Sequence, residues 1–356
     1  MYLGELSPKN LRGAIGVMPQ LLITVGILVA QIVGIRSILG NEEGWPLLLG
    51  LTGIPAALEL ICLPFFPESP RFLLIQKGDE GKAKEALKKL RGWDDVDNEI
   101  REIKAEDEAE KAEGQISILN LCQFKFLRWQ IISVIAMNMG QQLSGINAIY
   151  YYADSIYASA GVDKETIQYV TVGTGSVNVV ITLAAVFIVE AAGRKMLLLV
   201  GFATCVASSV LLTVALNLQD SIDWMPYISI ACVIIYVIGH ATGPSPIPYV
   251  MTLEMFLQSS RPAAFMVGGS VHWLSNFTVG LIFPFMEDAL GPYCFIIFSV
   301  ICLATFIYIL IIVPETKKKT FLEVSQLFAK RNGIAMAEDE KNTDVKLVPY
   351  NDNAEF

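Results

Sequence analysis

The chain has 356 residues, of which 53% are hydrophobic and 17% are charged, and its mean hydropathy is +0.51. This composition excludes a soluble globular protein, because soluble domains carry about 25% charged residues. The formal net charge of -9 at pH 7 is spread over the whole chain. The charge therefore gives no indication of a nucleic-acid partner.

Enzymatic and metal chemistry find no support in the sequence. The six cysteines lie mostly in apolar runs without a C-x-x-C pair, where a free cysteine behaves as a small hydrophobic residue. We identify no nucleophile–base pair, phosphate-binding loop or metal-ligand cluster. We therefore expect no enzymatic activity, no cofactor and no metal.

Apolar runs of about 20 residues, the length that crosses a bilayer as a helix, repeat along the chain. They predict an all-α membrane protein with eight transmembrane helices in contact with lipid. In chain order the predicted spans cover residues 13–36, 45–66, 127–149, 169–189, 196–216, 225–252, 263–286 and 293–313. Pro55 is expected to break the second span.

One long hydrophilic segment, residues 76–125, separates the second and third spans. Residues 80–90 and 97–113 have helix-forming composition with Glu and Lys at three- and four-residue spacings. We predict a cytosolic helical linker here. With this loop in the cytosol, Arg36 and Lys164 are the only basic residues outside, and the positive-inside rule then places both termini in the cytosol.

An internal repeat relates the two ends of the chain. The box from Glu5 to Arg12 recurs from Glu254 to Arg261, and two spans and a Pro-Glu-Ser/Thr box follow each copy. Such repeats are typical of transporters built from two six-span bundles. Four spans precede only the second copy, so we expect that the first four spans of the parent architecture are missing. The predicted regions are 1–71, the last two spans of an N-terminal bundle; 72–126, the linker; 127–313, a six-span C-terminal bundle; and 314–356, a cytosolic tail.

Uncharged amide side chains lie inside the apolar runs, most densely between Gly140 and Asn147. Amides are costly in hydrocarbon, so they are expected to face a neighbouring helix or a water-filled cavity. An amide donates and accepts, as a sugar hydroxyl does. The residues alone leave open whether these amides bind a sugar or only join helices. The candidates are Gln20, Gln141, Gln142, Asn147 and Asn178.

Aromatic and imidazole side chains accompany the amides. His240 and His272, the two histidines, are too few for a metal site and are expected to be neutral, bonding a sugar or a neighbouring helix. Trp273 could stack on the apolar face of a sugar ring or pack as an ordinary aromatic residue. Tyr151 and Tyr152 are expected to pack over the site as an outer gate.

The stretch from Gly243 to Pro248 contains three prolines and cannot form a regular helix. At bilayer depth such a break is tolerated where protein packs against it or where it lines a cavity. Pro244 and Pro246 therefore indicate either a hinge for an inner gate or a static kink.

Six motifs together resemble the sugar-porter branch of the major facilitator superfamily, and the likeness covers the chain to about Asn332. Within the facilitative hexose carriers the residues are most similar to the fructose-transporting type, as judged from Asn138-Met139-Gly140, His240 and His272-Trp273. The resemblance implies a major facilitator fold and passive transport of fructose, with glucose as a second substrate, by a monomer in the plasma membrane. The motifs are residues 4–13, 67–71, 141–147, 190–195, 243–248 and 314–317.

The resemblance also implies roles for particular residues. The five amides would line the sugar site, and Gln20 would influence the preference for fructose. Charged residues at the cytosolic helix ends would form salt bridges that hold the cavity open outward and break when it opens inward. They are Glu5, Arg12, Glu68, Arg71, Glu190, Arg194, Glu254 and Arg261.

A rival interpretation follows from the missing spans. Arg12 and Glu68 would lack partners from them, and the chain could be a transport-incompetent form that at most interacts with other carriers. We expect this chain alone to transport poorly.

Overall fold

The computed structural model describes residues 12–113, 127–159, 161–219, 221–256, 260–317 and 321–331, together with Tyr2, Leu6 and Lys319. Within these residues all regular structure is helical, which confirms the predicted all-α class. Among the described residues, six segments are long and apolar enough to cross a membrane: Ile15–Val33, Trp45–Phe65, Lys164–Val189, Arg194–Leu218, Met225–Met255 and Arg261–Ile311. The last of these contains two helices, and the count of eight spans stays a prediction.

The first part of the chain forms α1 (Arg12–Val33), α2 (Trp45–Gly50) and α3 (Gly53–Cys62), followed by a 3-10 turn. The second predicted span is interrupted one turn before Pro55, since a proline cannot donate to the carbonyl of the preceding turn. The carbonyl of Leu51 instead accepts from the N–H of Ile54 at 3.0 Å. No residue of α2 or α3 is buried, so their apolar surfaces face outward.

The hydrophilic linker contains α4 (Glu80–Arg91) and α5 (Asp97–Glu113), as the charge spacing predicts. The Asp79 side chain caps α4 by accepting from the Lys82 N–H at 3.0 Å, and Gly92 ends the helix with a φ of +75°. The linker helices pack on a small separate core that includes Leu73, Leu74, Ala83, Ala86, Leu87, Val96 and Ile100.

The remaining helices pack on one another around a continuous apolar core. They are α6 (Arg128–Leu143), α7 (Ile146–Ser159), α8 (Lys164–Ala192), α9 (Arg194–Leu218), α10 (Met225–Thr242), α11 (Ile247–Met255), α12 (Arg261–Leu290), α13 (Cys294–Ile311) and α14 (Phe321–Arg331). The third predicted span was wrong at its end, because helix resumes after a break and continues to Ser159. The tail holds α14, which the sequence analysis missed, and its Val324 and Phe328 are buried.

Helix α1 lies against α8 and α11. At one end the backbone N–H of Arg36 donates to Gln168 Oε1 at 2.9 Å. Further along, a side chain in place of Gly175 would overlap the Gln31 carboxamide, so the two helices meet at closest approach there. The first predicted span therefore contacts the C-terminal helices directly.

Candidate functional site

The break between α6 and α7 places the polar side chains of the site. Gly145 has a φ of +88°, which disfavours any residue with a side chain. A Cβ atom at this position would lie 2.5 Å from the ring of Phe298, so the ring on α13 requires glycine as well. The break therefore has a defined position, directly after the Gln141–Gln142 pair.

Gln142 is the centre of a hydrogen-bond network that engages both its amide oxygen and its amide nitrogen. Its Oε1 accepts from Asn276 Nδ2 at 2.9 Å and from Asn147 Nδ2 at 3.3 Å. Its Nε2 lies 2.9 Å from His272 Nε2. Since an amide nitrogen only donates, His272 Nε2 accepts, and the proton is on Nδ1, 3.5 Å from the Tyr249 hydroxyl. Three helices and the break are joined through this one side chain.

Gln141, the neighbour, is only partly bonded. Its Nε2 donates to the carbonyl of Ser245 at 3.0 Å, which fixes the direction of the amide. Its Oε1 is buried and has no hydrogen-bond partner within the described residues. The side chain is 2% exposed, so the open acceptor lies deep in the protein. A ligand that donates a hydroxyl proton would satisfy it.

The other predicted contacts lie around this pair. His240 Nε2 lies 3.3 Å from the backbone carbonyl of Gln141, so its partner here is a helix end. Asn178 donates to the Tyr150 hydroxyl at 2.9 Å and is half-buried on α8. Gln20 is half-buried on α1. The structure brings Gln142, Asn147 and His272 into direct contact and places His240 against Gln141. Asn178 and Gln20 lie on separate helices.

The aromatic candidates divide by exposure. Trp273 is 68% exposed, with its ring edge-on to His272 at a centroid distance of 5.3 Å. Its outer face borders a concave surface along α12 between Phe265 and Val271. Tyr152 is half-buried and packs edge-on against Phe295 at 5.6 Å. The side chain of Tyr151 lies outside the described residues.

The proline-rich break connects α10 to α11. A side chain on Gly243 would overlap the backbone of Leu197, and one on Gly201 would overlap the ring of Pro244, so α9 packs tightly against the break. Pro244 and Pro246 lie in this turn, where the Ser245 N–H donates to the His240 carbonyl at 2.9 Å. Whether this break acts as a hinge or as a static kink stays a prediction.

A charged cluster lies at the ends of α9 and α11. Arg194 forms a bidentate pair with Glu254, with distances of 2.8 Å from Nη2 and 3.0 Å from Nε to Oε1. Thr316 donates to the other carboxylate oxygen of Glu254 at 2.5 Å. Glu315 accepts from the N–H groups of Arg194 and Lys195, both at 3.0 Å, and so caps α9. Within the described residues, the carboxylate partner of Arg194 is Glu254.

The remaining charged candidates lie elsewhere. Arg261 donates to the carbonyl of Phe256 at 3.2 Å, and Glu68 accepts from the Ser69 N–H at 3.3 Å. Arg71 is half-buried. Glu5 and the side chains of Arg12 and Glu190 lie outside the described residues.

Several site residues escaped the sequence analysis. Asn276 lies four residues after His272, so both occupy one face of α12, and this spacing was an available signal. Thr316 and Glu315 belong to a recognised box but were not assigned to the charged cluster. Tyr236 gave no signal, because an aromatic residue in an apolar helix is ordinary.

Long apolar helices with breaks next to buried polar side chains are typical of membrane transporters, and solved structures support that class. The chain superposes on the major facilitator superfamily proton:xylose symporter XylE bound to 6-bromo-6-deoxy-D-glucose with a TM-score of 0.76, at 26% identity, covering 92% of this chain and 69% of that one. For the inward-open conformation of XylE from E. coli the TM-score is 0.68, at 25% identity, with coverage of 92% and 68%. The predicted major facilitator fold is confirmed.

The chain belongs to the family described as "Sugar (and other) transporter", which it matches over residues 1–328. It is 66% identical over 349 residues to solute carrier family 2, facilitated glucose transporter member 5, of Homo sapiens and of Pongo abelii, covering 98% of this chain and 70% of each relative. Member 7 of the same family from Homo sapiens is 54% identical, with coverage of 96% and 67%. The protein is therefore a multi-pass membrane transporter and not an enzyme.

Proposed function

We propose that this protein carries a hexose passively across the plasma membrane by alternating access, with fructose as the preferred sugar and glucose as a second substrate. Relatives that cover nearly the whole chain are named facilitated glucose transporters. The preference for fructose is supported by Asn138-Met139-Gly140 before the amide pair and by His240 and His272. We further propose a monomer with both termini in the cytosol.

The observation that carries this proposal is the unequal bonding of two adjacent amides. The amide oxygen and nitrogen of Gln142 bond to Asn147, His272 and Asn276, and these contacts hold the side chain in one orientation. Gln141 keeps one buried acceptor open while its nitrogen is held. A sugar hydroxyl that donates to Gln141 Oε1 would complete the site, and the exposed ring of Trp273 would cover an apolar sugar face.

The expected affinity of such a site suits a carrier. A single neutral hydrogen bond contributes about 0.5–1.5 kcal/mol net. A few of them give millimolar binding, which corresponds to about −4 kcal/mol. The sugar is therefore held weakly enough to be released on either side.

The charged cluster supports a switching role. The Arg194–Glu254 pair and its Thr316 contact join elements that would have to separate when the cavity opens toward the cytosol. An exposed pair is worth about 0–1 kcal/mol, so only a linked cluster of this kind can bias two conformations.

Uptake of labelled fructose into proteoliposomes that contain the purified chain tests the proposal. The expected result is slow but saturable uptake, because the chain alone is expected to transport poorly. Excess fructose should inhibit this uptake more than excess glucose does, and a pH gradient should not stimulate it. Gln141→Leu, which removes the open acceptor, should lower uptake, whereas Thr278→Ala on the exposed side of α12 should not. The rival interpretation, a transport-incompetent form, predicts no uptake above that of empty vesicles, whether or not the chain binds fructose.

A further inference from the structure

Two side chains from neighbouring helices converge on one backbone carbonyl at the α6–α7 break. The Tyr236 hydroxyl of α10 donates to the carbonyl of Ser144 at 2.5 Å. Cys302 Sγ of α13 approaches the same oxygen at 4.0 Å. All three residues are buried. Because a helix end leaves its last carbonyls without intrahelical donors and water is excluded here, the break depends on such side chains.

Helix α10 holds the end of α6 at a second point. His240 lies one turn after Tyr236, on the same face of α10, and its Nε2 is 3.3 Å from the carbonyl of Gln141. The Gln141 amide in turn donates to the Ser245 carbonyl at 3.0 Å, and the Ser245 N–H donates to the His240 carbonyl at 2.9 Å. The two helix breaks are thus bonded to each other around Gln141.

We propose that Tyr236 is a positioning residue for the sugar site, and this inference rests on the proposed function. Its hydroxyl fixes the end of α6 and thereby the direction of Gln141 Oε1. Tyr236 does not itself contact the sugar, because it lies behind the break and its oxygen is already bonded. Without the hydroxyl, Gly145 and Phe298 still define the break, so the chain keeps its fold while the amide pair becomes less restricted.

The test is Tyr236→Phe, with Tyr308→Phe as the matched control. Tyr308 on α13 bonds Ser133 on the same helix α6 at 3.0 Å, far from the break. Each change removes one hydroxyl and conserves volume. From the worth of one hydrogen bond, the fructose dissociation constant of the purified full chain, read by tryptophan fluorescence, should rise about 3- to 10-fold in Tyr236→Phe. It should stay within about twofold in Tyr308→Phe. Equal effects of the two variants would overturn the proposal.

A rescue variant separates positioning from general damage. Tyr236→4-aminophenylalanine keeps a donor and the ring, so it should restore the dissociation constant to within about twofold of the wild type. If Tyr236→Phe fails to fold, the 4-aminophenylalanine variant still tests the proposal. Cys302→Ala, which removes the weaker donor to the Ser144 carbonyl, tests it as well. Normal sugar affinity in a folded variant that lacks any donor at position 236 contradicts the role.

Hydrogen–deuterium exchange gives a readout that does not need sugar. Tyr236→Phe should speed exchange in peptides that cover residues 141–149, and Tyr308→Phe should leave them unchanged. If the wild type shows no response to fructose while this local exchange still rises, the proposed function fails and the backbone contact stands. If the wild type binds fructose and the exchange is the same in both variants, the positioning role fails.

Discussion

Two polar regions of the C-terminal helices differ in charge and place. The first is the neutral network around Gln142 on α6, built from amides, an imidazole and a phenol. The second is the ionic cluster around Arg194 and Glu254, at the ends of α9 and α11. Both are largely shielded, yet full charges occur only in the second.

The difference follows from the cost of burying charge. Neutral dipoles can satisfy one another within the bilayer, whereas an ion pair at the same depth must offset several kcal/mol of desolvation per ion. At a helix end, water and backbone groups are near, and an ion pair there can separate without leaving a charge in hydrocarbon. Neutral amides therefore suit a fixed contact at bilayer depth, and an ion pair suits a contact at a helix end.

The largest expected effect comes from removing the break that supports the neutral network. Gly145→Ala places a Cβ against the Phe298 ring at a positive φ, so we expect a loss of about 2–5 kcal/mol in folding free energy. Thermal unfolding in detergent measures it. Gly173→Ala is the control, because a Cβ there meets nothing within 4 Å and the position is helical. Equal melting temperatures for the two variants would show that the break tolerates a side chain.

The second-largest expected effect comes from breaking the ion pair between Arg194 and Glu254. A double-mutant cycle of Arg194→Ala and Glu254→Ala should give a coupling of about 1–3 kcal/mol, since both side chains are shielded and the pair is bidentate. The same cycle on Lys104 and Glu80, an exposed linker pair, should give a smaller coupling, because water screens both charges. Chemical unfolding of the four chains in each cycle provides the values. If the coupling between Arg194 and Glu254 is no larger than that between Lys104 and Glu80, shielding from water does not strengthen the first pair.

The two adjacent glutamines should respond differently to truncation. Gln142→Ala removes a hydrogen-bond partner from the buried His272 and from the half-buried Asn147 and Asn276, so it should lower stability by about 1–3 kcal/mol. Gln141→Ala removes an already open acceptor, so it should lower fructose affinity more than stability. Melting temperatures and fructose binding of both variants, measured side by side, test this; a larger stability loss in Gln141→Ala would contradict the assigned bonding.

The smallest effect is in the linker. Hydrogen bonds from Lys84 lower the pKa of Asp97, and those from Lys104 and Lys84 lower the pKa of Glu80. A lowered folded pKa gives stability that is complete above the unfolded value, about 4, and that is lost as the pH falls through the lowered value. Lys84→Met should thus speed exchange in linker peptides at pH 7, and the ratio to wild type should approach one at low pH. A ratio independent of pH would exclude these carboxylates as the cause.

How far the sequence predicted the site depends on the distance between partners. Asn147 and Gln142 share one motif, so their proximity was foreseeable, and the linker helices were predicted within a residue because charge spacing is local. Gln142 and Asn276 lie on different helices, and no local pattern pairs them. The end of the third span was misplaced, because hydropathy does not indicate that the helix breaks at Gly145 and then continues as α7.

The sequence by itself determined the membrane class, most of the helical segments, the breaks at proline and the family, because burial in lipid and backbone geometry act over a few turns. The tertiary structure alone decided that the amide oxygen of Gln142 is bonded while that of Gln141 is open, that Arg194 pairs with Glu254 and that Tyr236 caps the break. These outcomes depend on which helix faces lie against each other, and a hydrogen bond reaches only about 3 Å.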